Sequence, residues 1–120
     1  MIIAIDFDGT LHQGRWPDIG EPFPGAKDIM GLLKRDGHYL IIWTYREGIR
    51  QTEMVNWLME HEIPFDRIND HKPGSWETYG YKSQKVYAHL YVDDNQVGGL
   101  PSWLQVYEWV GKMEKEYSNK

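Results

Sequence analysis

The first five residues, MIIAI, are apolar without a break, and Asp6, Phe7 and Asp8 follow at once. A strand with one wet face alternates apolar and polar residues. An unbroken apolar run this short belongs instead to a strand covered on both faces, as in a parallel sheet wrapped by helices. This feature constrains the fold more than any other in the chain. It also ends in two acids spaced by one residue, at the kind of strand end where open α/β sheets bind their ligands.

The rest of the chain fits that frame. HYLIIWT at 38–44, IPFDRI at 63–68 and HLYVDD at 89–94 read as further strands. Between them lie helical patterns. Residues 24–37 place Ile29, Leu32 and Leu33 on one face, with Gly37 at the position of a C-terminal cap. Residues 47–62 align Ile49, Met54, Trp57 and Leu58, and residues 102–117 align Trp103, Val106, Tyr107, Val110 and Met113. Residues 83–88 suit a turn or a short helix. Strands alternating with helices predict an α/β fold: a three-layer αβα sandwich about a mainly parallel, doubly wound, Rossmann-like sheet with right-handed crossovers. The 120 residues predict one domain, with no repeat or linker. Two irregular stretches, a flap at 11–23 and a loop at 69–82, are long enough to expect function of them.

Composition narrows the function classes. Hydrophobic residues at 41% and aromatics at 14% exclude a disordered chain. The net charge of -5 argues against nucleic acid as the main ligand. The chain has no cysteine, which removes disulfides, thiolate metal sites and thiol nucleophiles and fits a reducing cytoplasm. No apolar run approaches the roughly 18 residues of a membrane span, and the start lacks a signal peptide's basic residues. A cytoplasmic protein with no membrane partner is the expectation.

At the strand ends the sequence places Asp6 and Asp8, then Thr44 followed by Tyr45 and Arg46, then Asp93 and Asp94, with Lys85 just upstream of the last strand. Clustered carboxylates repel and need a cation, and an all-oxygen donor set suits Mg²⁺. Lys85 offers charge to an anionic substrate and Thr44 a hydrogen bond to a phosphate oxygen. The Gly9–Thr10 turn offers backbone N–H groups. This is an inventory for phosphoryl transfer. Plainer readings exist. An Asp-Asp pair alone is a turn signal, Lys82 competes with Lys85, and Glu47, Arg50 and Glu53 suit a solvated helix face. Arg46, Arg15, Trp16 and His71 are candidate substrate contacts, Arg46 for its place at the mouth and Trp16 for stacking. His12 and His89 have weaker claims.

DFDGT after the first strand, Thr44 after the second, Lys85, and the Asp93–Asp94 pair resemble, in order, the four motifs of the haloacid dehalogenase superfamily. The resemblance covers residues 6 to 94. It implies Asp6 as a nucleophile forming an aspartyl-phosphate and Asp8 as general acid/base. It implies Thr44 and Lys85 as phosphate-holding groups and Asp93 as a direct Mg²⁺ ligand. Asp94 would act as an indirect ligand or orient the site, and the backbone carbonyl at Asp8 would be a further ligand. An acid at position 8 resembles the phosphatase and phosphomutase branches.

Neither insertion point of that superfamily has room for a cap domain, so the resemblance is to small capless phosphatases. An open site admits bulky phosphates or is roofed by a second subunit, so a homo-oligomer is a possible partner beside a phosphorylated substrate. Without a cap, phosphomutase chemistry is disfavoured. Rival readings are a phospho-receiver module, whose acceptor aspartate closes a middle strand, a two-metal nuclease, and a non-catalytic protein of the same fold.

Overall fold

The structure, a computed structural model, describes residues 1–75 and 84–118. Strands β1 (Ile2–Asp6), β2 (Tyr39–Trp43), β3 (Arg67–Ile68) and β4 (Leu90–Val92) form one sheet in the order β3-β2-β1-β4, every pairing parallel. Helices α1 (Ala26–Arg35) and α2 (Gly48–Glu60) follow β1 and β2, and α3 (Trp103–Ser118) follows β4. This is a Rossmann-like α/β sandwich.

Alternation along β1 divides the core. Ile3, Ile5 and Phe7 point into a cluster with Met30 and Leu33 of α1, Met54, Trp57 and Leu58 of α2, and Val106 and Val110 of α3. Ile2 and Ala4 point the other way, onto Ile41, Val86 and Ala88. Both clusters are buried, which is why MIIAI carries no polar residue. Handedness explains who covers what. The steps β1 to β2 and β2 to β3 run in one direction across the sheet, so right-handed crossovers put α1 and α2 on one face. The step from β3 back past β1 to β4 reverses direction, and the described residues just before β4 lie on the other face. There, among the described residues, Val86 and Ala88 cover the sheet.

Helix α1 ends where the sequence placed its cap signal. Gly37 sits at φ +88° just past α1, and its N–H donates to the Lys34 carbonyl. Two expectations shift. Ile49 is exposed rather than part of α2's buried face, which is Met54, Trp57 and Leu58. The strand expected over 63–68 shrinks to Arg67–Ile68. Pro64 has no N–H to give a ladder, and the Asp66 side chain instead accepts the Leu40 N–H at 2.8 Å, while the Asp66 N–H donates to the Leu40 carbonyl at 2.7 Å. Residues 84–88 are irregular, and Ser83 lies outside the described residues.

Among the described residues no helix is long and apolar enough to cross a membrane. Between β1 and α1 the chain builds a flap tied by isolated bridges, Asp8 to His12 and His12 to Pro22, and not a further domain.

Candidate active site

β1 lies between β2 and β4, so successive connections leave it in opposite directions, and ligands of such sheets bind at this reversal. Asp6 ends β1, Asp93 and Asp94 follow β4 next door, and Thr44 follows β2 on the other side. Carboxylate oxygens of Asp6, Asp93 and Asp94 lie within 4.8 Å of one another. Thr10 ties the group together. Its hydroxyl lies 3.3 Å from both Asp6 Oδ2 and Asp94 Oδ1, and it accepts the Asp94 N–H at 3.1 Å. The hydroxyl carries one proton, so it serves one carboxylate at a time. Trp103 of α3 anchors this turn by donating its Nε1–H to the Thr10 carbonyl at 3.1 Å.

The carboxyl of Asp6 is pushed up to about 8, first by burial, then by a hydrogen bond with Asp94 and the charges of Asp93 and Asp94. Carboxylates this close repel one another when ionised. The donor set is all oxygen, with carboxylates from two neighbouring strand ends, and this fits a hard divalent ion such as Mg²⁺.

Asp8 has a different environment. Arg46 grips it with two bonds, Nε to Oδ2 at 2.9 Å and Nη2 to Oδ1 at 2.7 Å. His12 Nε2 lies 2.7 Å from Oδ1. His12 Nδ1 accepts backbone N–H bonds from Gly14 at 3.0 Å and Gly20 at 3.2 Å. Two donors on Nδ1 assign the ring proton to Nε2, which therefore donates to Asp8. Burial alone would raise the Asp8 carboxyl, but the Arg46 and His12 hydrogen bonds outweigh it and hold it below its ordinary value. Arg46 is fully buried. Its guanidinium lies 4.7 Å from the Trp16 ring centroid and 5.3 Å from that of Phe7, and Nη2 also donates to the Pro17 carbonyl at 3.0 Å.

Two adjoining cavities open on Asp6 and Asp93. One, of about 410 Å³, is lined also by Trp43, Thr44, Tyr45, Asn69 and Gln84. The other, of about 310 Å³, is lined also by Asp8, Trp16, Tyr45 and Asn95.

The structure thus gathers Asp6, Asp93, Asp94, Thr10 and Thr44, with Gly9 fitted tightly beneath Asp94. It places other candidates elsewhere. Arg46 is not at the mouth: its fork matches a carboxylate, and the one it meets is Asp8, so its charge is spent there. The Asp8 carboxylate faces Arg46 and His12 and is not part of the acidic trio. The Thr10 N–H donates to the Phe7 carbonyl at 3.3 Å and is not offered to an anion. Lys85 is exposed, with its ammonium 4.7 Å from the Tyr91 ring centroid, and lines neither cavity. Lys82 lies outside the described residues. Arg15 is exposed on the flap and lines neither cavity. His71 is buried, and its Nδ1 accepts the Tyr87 N–H at 3.2 Å, a loop contact.

Asn69 was missed, and His12 has only a weak claim in the sequence. Asn69, at φ 51°, brackets the Thr44 backbone: its Oδ1 accepts the Thr44 N–H and its Nδ2 donates to the Thr44 carbonyl, both at 2.7 Å. The strand-end rule that picked out Asp6, Thr44 and Asp93 would have found it had β3 been followed to its end. His12 is the keystone of the flap, and its spacing of four from Asp8 was the available signal.

No family model and no curated protein matches the chain. A solved structure of a conserved protein from Bacteroides thetaiotaomicron is 38% identical and superposes with a TM-score of 0.84, covering 94% of this chain and 91% of that one. The fold and strand-end acids define a Rossmann-like α/β protein with a carboxylate-rich site. The chain belongs to the same family as that conserved protein.

Proposed function

We propose that the protein is a Mg²⁺-dependent phosphatase of the haloacid dehalogenase type, acting on a phosphate monoester. The observation that carries this reading is the meeting of Asp6, Asp93 and Asp94 within 4.8 Å, with Asp6 and Asp93 on a cavity that also holds Thr44. The strand order supports it against a phospho-receiver: the acids close the neighbouring strands β1 and β4, while β2 closes in Thr44.

A Mg²⁺ held by Asp6, Asp93 and Asp94 would offset their mutual repulsion and the charge of the substrate phosphate. In the first half-reaction an Asp6 carboxylate oxygen attacks phosphorus, and the bond from phosphorus to the alcohol oxygen breaks with its electron pair. In the second, water attacks the aspartyl-phosphate, the bond to Asp6 breaks, and inorganic phosphate leaves with Asp6 restored. Asp8, which Arg46 and His12 hold as the carboxylate, takes the proton of that water as general base, and the departing alcohol takes its proton from the solvent of the open site. Arg46 and His12 also aim the Asp8 carboxylate. Thr44, its backbone bracketed by Asn69, donates to a phosphate oxygen. Lys85, whose ammonium lies 4.7 Å from the Tyr91 ring centroid, is the amine that the resemblance offers to the phosphate.

The test is phosphate release from a panel of esters, with and without Mg²⁺, by the wild type and Asp6→Asn. The reading predicts Mg²⁺-dependent release that Asp6→Asn abolishes. Release from no ester, or equal release by Asp6→Asn, contradicts it.

A further inference from the structure

The cavity of about 310 Å³ on Asp6, Asp8 and Asp93 is also lined by two aromatic side chains, Trp16 from the flap and Tyr45 after β2. Tyr45 is 101% exposed and Trp16 59%. Single exposed aromatics are ordinary; two on one cavity beside a candidate nucleophile have no packing explanation. Trp16 is also not a loose side chain. The buried Arg46 guanidinium stacks 4.7 Å from its ring centroid and binds the carbonyl of the next residue, Pro17. The indole is therefore a fixed platform backed by a cation, and a planar ring stacking on it meets little ordering cost.

The remaining polar side chains of the wall are Asp6, Asp8, Asp93 and Asn95. The first three are committed to phosphoryl chemistry and to Arg46, which leaves Asn95 and the polar tips of Tyr45 and Trp16 as neutral partners. Two aromatic faces beside so few uncommitted polar groups favour a flat ring over a hydroxyl-rich group.

We infer that the alcohol part of the substrate carries a planar aromatic or heteroaromatic ring, held by Trp16 and Tyr45 while its phosphate reaches Asp6; this rests on the phosphatase reading. A nucleobase and a simple aryl ester share that chemistry.

The test measures binding of phenylphosphonate, a nucleoside 5′-phosphonate and methylphosphonate, none of which can be hydrolysed at phosphorus, to the Mg²⁺-loaded protein. At least one ring compound should bind about tenfold tighter than methylphosphonate, the size of one stacking contact. The gap should close in Trp16→Leu and in Tyr45→Ala and persist in Trp16→Phe. Tyr45 is fully exposed, so its removal leaves the fold intact even if Trp16→Leu does not fold. The tighter of the two ring compounds assigns the ring to a nucleobase or to an aryl group, and either supports the inference. Equal binding of all three, or a gap that survives Tyr45→Ala, overturns it. Phosphate release from phenyl phosphate, a nucleoside 5′-monophosphate and methyl phosphate, measured in parallel, separates the two readings. A ring preference without turnover sinks the phosphatase and leaves the ring site; turnover without a ring preference does the reverse.

Discussion

Gly9 shows how little freedom the site's turn has. It sits at φ +77°, and a Cβ there would lie 2.3 Å from Asp94 Oδ2. Gly9→Ala should cost about 1–2 kcal/mol in backbone strain and push the Asp94 carboxylate out of the trio. Denaturant unfolding and a Mg²⁺ titration check both; unchanged Mg²⁺ affinity would show that Asp94 has no part in the site. Asp6 makes a pH prediction. Its carboxyl is raised from 3.8 to about 8 in the cation-free fold. Between those values the folded chain keeps a proton that the unfolded chain has lost, so stability falls as pH rises from about 4 to about 8. Thermal midpoints in chelator should therefore drop between pH 5 and pH 8, Asp6→Asn should flatten that slope, and Mg²⁺ should restore more at pH 8 than at pH 5. A flat profile in the wild type would contradict the crowding of the trio.

Among the elements, the flap is the least regular and the most tightly specified. Its two limbs meet at Gly14 and Gly20, where a Cβ on Gly14 would lie 2.4 Å from the Gly20 nitrogen. Both N–H groups converge on His12, and Trp57 of α2 donates to the Gly20 carbonyl at 3.1 Å. His12→Ala strips two N–H groups and Asp8 of a partner at once. It should cost about 1–3 kcal/mol and speed proteolysis within residues 13–22, while cleavage elsewhere is unchanged. Equal resistance to protease would mean that His12 does not hold the flap. The sequence could not show this assembly, because it depends on contacts between residues far apart in the chain, such as Gly20 with Trp57. β1, α1 and α3 were legible because apolar period and caps are local. β3 was legible only in part, since Pro64 and the Asp66 side chain replace ladder bonds that no hydrophobic pattern records.

At the scale of the whole molecule, strand order does what no segment does alone: it puts the ends of β1 and β4 side by side. The acids that gather there could be named from the sequence, because strand ends and one-residue alternation are written in it. The partners that divide them could not. Asp6 and Asp8 are two residues apart, yet one is crowded by acids and the other gripped by Arg46, a difference created by where the flap and the β2–α2 connection bring their side chains. On the phosphatase reading Asp6 becomes covalently phosphorylated during turnover. Acid-quenched single turnover of an ester with Mg²⁺, followed by peptide mass spectrometry, looks for that adduct. One phosphoryl group is expected on the peptide carrying Asp6, labile to hydroxylamine and absent in Asp6→Asn. Phosphate release with no such adduct, or an adduct on another residue, would contradict it.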